Sequence, residues 1–324
     1  MDRLTLNGLA YPGAMEHHEL TRVVQEIRGL VQAHYVYPQV SAQVARILAE
    51  GLAEDRYPGE ERGLAEAVTA DLQSVNGDKH LRLLYHDQPL AARQPGSDAE
   101  EYASLGQWAQ QTCGGVAGVR LLAGNVGYVD FQPVLFPVAI TGELITAAMS
   151  LVATTEALII DLRGCLGGEP AAAAFVISYL WDHEPAQLTS LAERAEPRPR
   201  QFWTLPFVPG RRFGKTKPVY ALTSATTFSG GEQLAYDLQQ LGRAFIVGER
   251  TGGGAHAREG FRVHPHLEAT ISVAAAVNPV TGGSWEGTGV IPDLETQAGQ
   301  ALETARNYAI DQVTAASGPK AAPD

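Results

Sequence analysis

The chain has little cysteine: two residues, Cys113 and Cys165, in 324. That is too few for a disulfide framework and is compatible with a reducing compartment. It has no apolar run long enough to span a bilayer. Positive charge is short, with 24 Lys and Arg against 36 Asp and Glu, so the formal net charge is −12. A nucleic acid or an anionic membrane surface would be repelled over most of such a surface, and neither is expected as a partner. The opening stretch MDRLTLNGLAYPGAMEHHEL lacks the basic start and apolar core of a signal peptide. The expectation is therefore a cytoplasmic protein, although a processed exported form would read the same way. No HExxH pattern is present, and no metal or cofactor is expected. What remains is an ordinary globular composition, 45% hydrophobic and 19% charged, long enough for two domains or for one large domain with an appendage.

Residues 16–35 carry Leu20, Val23, Val24, Ile27, Leu30, Val31 and Tyr35 at helical spacing and stop before Pro38. Ser41 is a candidate cap for a second helix with Val44, Ile47, Leu48 and Leu52 inward, and Leu64, Val68, Leu72 and Val75 predict a third. Asn76-Gly77-Asp78 signals a turn before a short strand, Leu81 to Tyr85, with His80 between them. A weaker helix is expected from Glu100 to Gln111. From Val116 the pattern becomes alternating strands and helices. VAGVRLL and VGYVDF flank a turn, a helix from Glu143 to Val152 has Leu144, Ile145, Ala148 and Leu151 inward, and ALIIDLR is a strand buried on both faces. A glycine-rich loop, GCLGGEP, then opens a helix starting near Pro170. AFIVGE is a further strand, residues 258–291 are extended segments and turns, and Leu294 to Thr314 predicts a closing helix. The expected organisation is an N-terminal helical domain (1–86), a linker (87–115) and an α/β core of stacked βαβ units (116–324).

The chemistry concentrates at TSATTFSGGEQLAYDLQQLG, residues 223–242, where the apolar run VYALT breaks into a polar loop and then a helix. Ser229 stands at the break, followed by Gly230 and Gly231, so an uncrowded amide at a helix N-terminus lies next to a hydroxyl. Serines also cap helices with no further duty, and Glu232 in the first turn is favoured by the helix dipole alone. Three other stretches carry polar groups that local structure does not demand: GDKHL (77–81), RGCLGG (163–168) and WEGTGVIPD (285–293). A serine hydrolase needs a base, a group orienting that base and two amide donors, and these stretches hold one of each kind. His256 in GGGAH is a rival base. His264 and His266 alternate on a strand and are read as groove-lining residues, and Asp161 with Arg163 as a structural pair bracing the glycine loop.

Together, TSATTFSGGEQLAYDLQQLGRAFIVGERTGGGAH, ALIIDLRGCLGG, GDKHL and WEGTGVIPD resemble the serine peptidases of the C-terminal-processing and tricorn protease family. The branch that includes interphotoreceptor retinoid-binding protein and its bacterial relatives is the better match. The resemblance covers roughly residues 16–300 and implies a ClpP/crotonase-like core behind a helical N-terminal part, with too short a connection for the PDZ domain many relatives carry. It implies Ser229 as nucleophile, Gly230 as one oxyanion donor and Gly167 or Gly168 as the other. The lysine base of many relatives falls on Gly254, and no lysine follows Ser229 before Lys320, so a Ser/Lys dyad is excluded on this alignment. The tricorn-like arrangement maps the base onto His80 and its orienting carboxylate onto Glu286. Cys165 stands where relatives usually have asparagine. The resemblance implies a peptidase for peptides or unfolded protein termini and is compatible with a homo-oligomer. A carrier of a retinoid or fatty acid on the same fold, and a non-proteolytic ester hydrolase, are the alternatives.

Overall fold

The computed structural model describes residues 15–90, 98–194 and 196–317. Residues 1–14, on which the leader reading largely rests, and 91–97 of the expected linker lie outside the described residues. The chain forms two compact units, residues 1–94 with 258–274, and residues 95–257 with 275–324.

In the first unit, α1 (His17–His34), α2 (Pro38–Ala53) and α3 (Glu61–Gln73) bury the apolar faces that the spacing predicts. Ser41 does not cap α2. The helix begins at Pro38, whose fixed φ suits the first turn, and Ser41 is buried one turn inside. Three helices have more apolar surface than they can hide among themselves. The excess is covered by a strand pair that comes from far along the sequence. Strand β1 (Arg82–Tyr85) runs antiparallel to β9 (Leu267–Val277), with Leu83 opposite Ala269, and β8 (Ala257–His264) pairs with β9 across a Pro265-His266 turn. Val263, Leu267, Ala269 and Ile271 share one core with Val24, Ile27, Leu48, Leu64 and Val68. Residues 258–274 therefore pack with the N-terminal helices, whereas the sequence reading assigns them to the α/β core. Extended segments with one apolar face carry no local mark of which helices they will cover.

The second unit is built on a six-stranded sheet in the order β10-β7-β6-β4-β3-β2. Its members are β2 (Val116–Leu122), β3 (Val126–Phe131), β4 (Ala157–Asp161), β6 (Val219–Thr223), β7 (Phe245–Gly248) and β10 (Leu294–Glu295). β2 and β3 form an antiparallel hairpin; every other pairing is parallel. α4 (Asp98–Gln111) precedes the sheet, inside the expected linker. β4 and β6 are buried at every residue, as a central parallel strand with two covered faces must be. One face meets α8 (Ala298–Ser317), whose Ala301, Ala305 and Ala309 lie against Tyr128, Ile159 and Leu222. The alternate residues Leu158 and Ile160 point to the other face, where α5 (Val138–Val152), α6 (Pro170–Tyr179) and α7 (Gly230–Gln240) pack, and the short strand β5 (Ser190–Glu193) follows α6. On α5, Ile145 and Ala148 are buried as expected, but Leu144 is 45% and Leu151 70% exposed. The helix starts five residues before the expected Glu143 and turns a different stripe inward.

Candidate active site

At the carboxyl ends of the parallel strands β4, β6 and β7, three loops converge, where open α/β sheets place their ligands. The glycine loop after β4 and the serine loop after β6 are laced together. Thr227 Oγ1 donates to Leu162 O (2.8 Å), Ser224 Oγ and Thr226 Oγ1 to Arg163 O (2.7 and 2.9 Å), and the Phe228 N–H to Cys165 O (3.0 Å). Arg163 is anchored from below by Asp161, with Nε to Oδ1 at 2.9 Å, and Tyr128 donates to the same carboxylate at 2.7 Å. Burial pushes the Asp161 carboxyl up, but the bonds from Arg163 and Tyr128 outweigh it and hold the group below the usual carboxylate range. The pair braces the loop, as expected.

Ser229 ends the serine loop at the N-cap of α7 with φ 50° and ψ −118°, a left-handed conformation that costs a non-glycine residue energy. Such a turn lifts a side chain off the strand-to-helix corner, the device by which other hydrolase nucleophiles are exposed. The Ser229 N–H is occupied by Glu232 Oε2 at 2.9 Å and is not an oxyanion donor. Among the described residues, the N–H groups of Gly167, Gly168 and Gly230 donate to no protein acceptor. A Cβ on Gly167 would stand 3.4 Å from Ser229 Cβ and 3.8 Å from its Oγ, and one on Gly230 would be 2.5 Å from Gly168 O. Gly167 (φ 150°) and Gly168 (φ 129°) hold conformations that glycine alone adopts without strain. Three uncommitted amides thus lie in the two segments that meet at one strained serine, which is what stabilising a developing oxyanion requires.

Cys165, beneath this loop, is fully buried; burial pushes its thiol up to about 12, and Sγ approaches Gly167 O at 3.5 Å. It is a packing residue, not a second nucleophile.

Glu286 belongs to the same unit. Its Oε2 accepts from the Ala255 N–H (2.6 Å) and the His256 N–H (3.3 Å), and His256 Nδ1 lies 3.8 Å from it, beyond hydrogen-bond reach. The neighbouring Trp285 is buried and donates Nε1–H to Gly254 O (3.0 Å), fastening Glu286 to the loop after β7. His80 is in the first unit, 3% exposed, its N–H on Asp78 Oδ1 (2.9 Å) and its carbonyl accepting from Thr270 Oγ1 (2.6 Å). Tyr35 donates to the other Asp78 oxygen (3.0 Å) and accepts from Asn76 Nδ2 (2.8 Å). Of the residues singled out from sequence, the second unit gathers Ser229, Gly230, Gly167 and Gly168 at one corner and Glu286 with His256 on the adjoining loop; His80 is fixed within the first unit. His264 and His266 go separate ways, the first between Glu19 (3.2 Å) and Glu61 (3.0 Å), the second on the His86 carbonyl (2.8 Å).

Three positions escape a sequence reading. Asp78 was visible only as part of a turn, although an Asp two residues before a candidate base is well placed to accept its N–H. Glu232 fits a first-turn acid yet is fully buried, and Asp237, further along the same helix, is buried with Thr189 and Asn278 donating to it (2.7 and 3.0 Å).

The mainly parallel core, with the glycine and serine loops at its strand ends, is that of an α/β protein carrying a candidate nucleophile at a helix N-terminus. The same fold is found in a lipoprotein from Streptococcus agalactiae (15% identity, 95% of this chain and 100% of that one, TM-score 0.57). It recurs in the photosystem II D1 C-terminal processing protease (18% identity, 94% and 98%, TM-score 0.51). The tricorn protease matches at 14% identity over 92% of this chain and 37% of its own, with a TM-score of 0.59. Residues 125–296 match the model of peptidase family S41, and residues 15–111 that of the N-terminal domain of peptidase S41 in eukaryotic interphotoreceptor retinoid-binding protein. The chain belongs to peptidase family S41, and the reaction of that family is serine-type peptide hydrolysis.

Proposed function

We propose that Ser229 is the nucleophile, His80 the general base and Glu286 the carboxylate orienting that base, with Gly230 and Gly167 or Gly168 as oxyanion donors. The observation that carries this reading is the strained Ser229 corner, flanked by three amides that nothing in the described protein uses. Oγ attacks the scissile carbonyl carbon as its proton passes to the imidazole; the carbonyl electrons move onto oxygen, among the glycine amides. The intermediate collapses, the imidazolium protonates the departing amine, and the acyl-serine is hydrolysed by a water activated at the same base. A carrier of an apolar ligand has no use for a serine held at positive φ beside uncommitted donors, so the peptidase reading is preferred.

The substrates are peptides or unfolded protein termini, by analogy with the D1 C-terminal processing protease and tricorn. The decisive experiment is labelling with a fluorophosphonate, with the adduct mapped by mass spectrometry. Ser229 as the modified residue supports the reading; modification of another serine overturns it. His256 is the rival base, and the pH–rate profiles below separate the two.

A further inference from the structure

A glutamate at the third position of a helix commonly reaches back to the capping residue's N–H, and exposed examples do no more than that. Glu232 does much more. Its carboxylate is fully buried and accepts four hydrogen bonds: Oε2 from the N–H groups of Ser229 (2.9 Å) and Gly254 (2.9 Å), and Oε1 from the Gly253 N–H (2.7 Å) and the Thr251 hydroxyl (2.5 Å). Burial raises its pKa, the four donors oppose that, and no lysine or arginine contributes. A buried carboxylate without a counter-cation is expensive unless its lone pairs are filled by donors, as they are here. Only one of the four comes from Glu232's own helix cap. The other three belong to residues 251–254, the segment whose next two amides hold Glu286 and whose Gly254 carbonyl receives Trp285.

We infer that Glu232 is a positioning residue for catalysis: one carboxylate fastens the nucleophile's strained backbone to the loop after β7, whose next amides hold Glu286. This rests on Ser229 being the nucleophile. Ser229 keeps φ 50° because the N–H on one side of its Cα is pinned. The same group sets the distance between the serine corner and the 251–256 loop. A neutral amide cannot replace it, since an amide NH₂ would face donors at one end whichever way it turned.

The experiment uses the full chain and two readouts: the rate of fluorophosphonate labelling at Ser229, and kcat and KM on an activated ester. Glu232→Gln should fold, with labelling rate and kcat each reduced about 10²-fold and KM changed by less than about threefold, because misplacement of a reacting group acts on the chemical step. A folded Glu232→Gln protein that is labelled at the wild-type rate overturns the inference while leaving the nucleophile in place; wild-type protein not labelled at Ser229 removes the nucleophile reading itself, and the inference with it. Where Glu232→Gln fails to fold, Thr251→Val keeps the carboxylate and removes one donor. It should lower kcat about tenfold, and Thr251→Ser, which restores the hydroxyl, should recover it. Thr251→Val with wild-type kcat overturns the inference.

Discussion

Gly230 and Gly168 meet backbone against backbone: a side-chain carbon on Gly230 would stand 2.5 Å from the Gly168 carbonyl oxygen and 2.8 Å from its nitrogen. The first residue of α7 can approach the glycine loop after β4 this closely only because Gly230 lacks a Cβ; the missing Cβ of Gly168 makes room for Leu135 instead. That approach brings amides from two separate loops to one serine hydroxyl.

Ser229→Ala should abolish fluorophosphonate labelling and peptidase activity with little change in the thermal midpoint. Ser229→Gly should be equally inactive and at least as stable as the alanine variant, because glycine adopts φ 50° without strain, an effect of about 1 kcal/mol. Calorimetry on the two variants reads it; a glycine variant that melts well below the alanine one would contradict a strained corner.

The two loop glycines should separate in their effects. At Gly167 a methyl group would only touch Ser229 Cβ, at 3.4 Å, but φ 150° strains any side chain, so Gly167→Ala should shift the loop amide and lose about 10²-fold in kcat/KM for about 1 kcal/mol of stability. At Gly168 it meets Leu135 O at 2.2 Å, so Gly168→Ala should cost about 2 kcal/mol or more of stability before any catalytic effect is visible. Urea denaturation beside steady-state kinetics would show the split.

With Gly254 in place of a lysine, the acid limb of the pH–rate profile should be that of an imidazole. The base must be neutral to take the serine proton, so kcat/KM should fall as pH drops and the imidazole becomes protonated. His80→Ala should cost several orders of magnitude and abolish the limb, Glu286→Gln should cost less, and His256→Ala should retain the limb. If instead His256→Ala loses both rate and limb while His80→Ala keeps them, the base belongs to the GGGAH loop.

Asp237 gives stability its own pH signature. Burial pushes its carboxyl up to about 6, against a pull downward from Thr189, Gln233 and Asn278. A folded-state pKa above the unfolded one means the native protein binds more protons between about 4 and 6, so this group's contribution to stability declines as pH rises through that window. The total is on the order of 3 kcal/mol. Asp237→Asn lacks the term, so its stability relative to wild type should improve from pH 4.5 to pH 7. Paired urea midpoints at the two pH values check the sign.

Local patterns made much of this legible. ALIIDLR and VYALT read as buried strands because they are, and Ser229 falls between strand and helix because the apolar period changes there from continuous to helical. The same reasoning misplaced Ser41, since a proline three residues earlier is the better helix start, and it turned Leu144 and Leu151 inward when their stripe faces out. Glu232 was legible as a first-turn acid but not as a buried one. Its three outside donors are backbone amides and a threonine about twenty residues away, and backbone amides leave no trace in a sequence. Residues 258–274 were recognisable as strands, but which helices they cover depends on the pairing of β1 with β9, a contact nearly two hundred positions long.

The burial of Cys165 has a consequence for how this protein meets oxidants and alkylating agents. A thiol sits in the loop that forms the candidate oxyanion site, with no exposed surface and a titration far above neutral. Peroxide attacks thiolates that solvent can reach, and this sulfur is neither ionised nor reachable. Iodoacetamide should therefore modify only Cys113, which is exposed, and leave turnover intact. Insensitivity to thiol reagents combined with inactivation by a serine-directed one would distinguish this active site from that of a cysteine peptidase in a single pair of incubations.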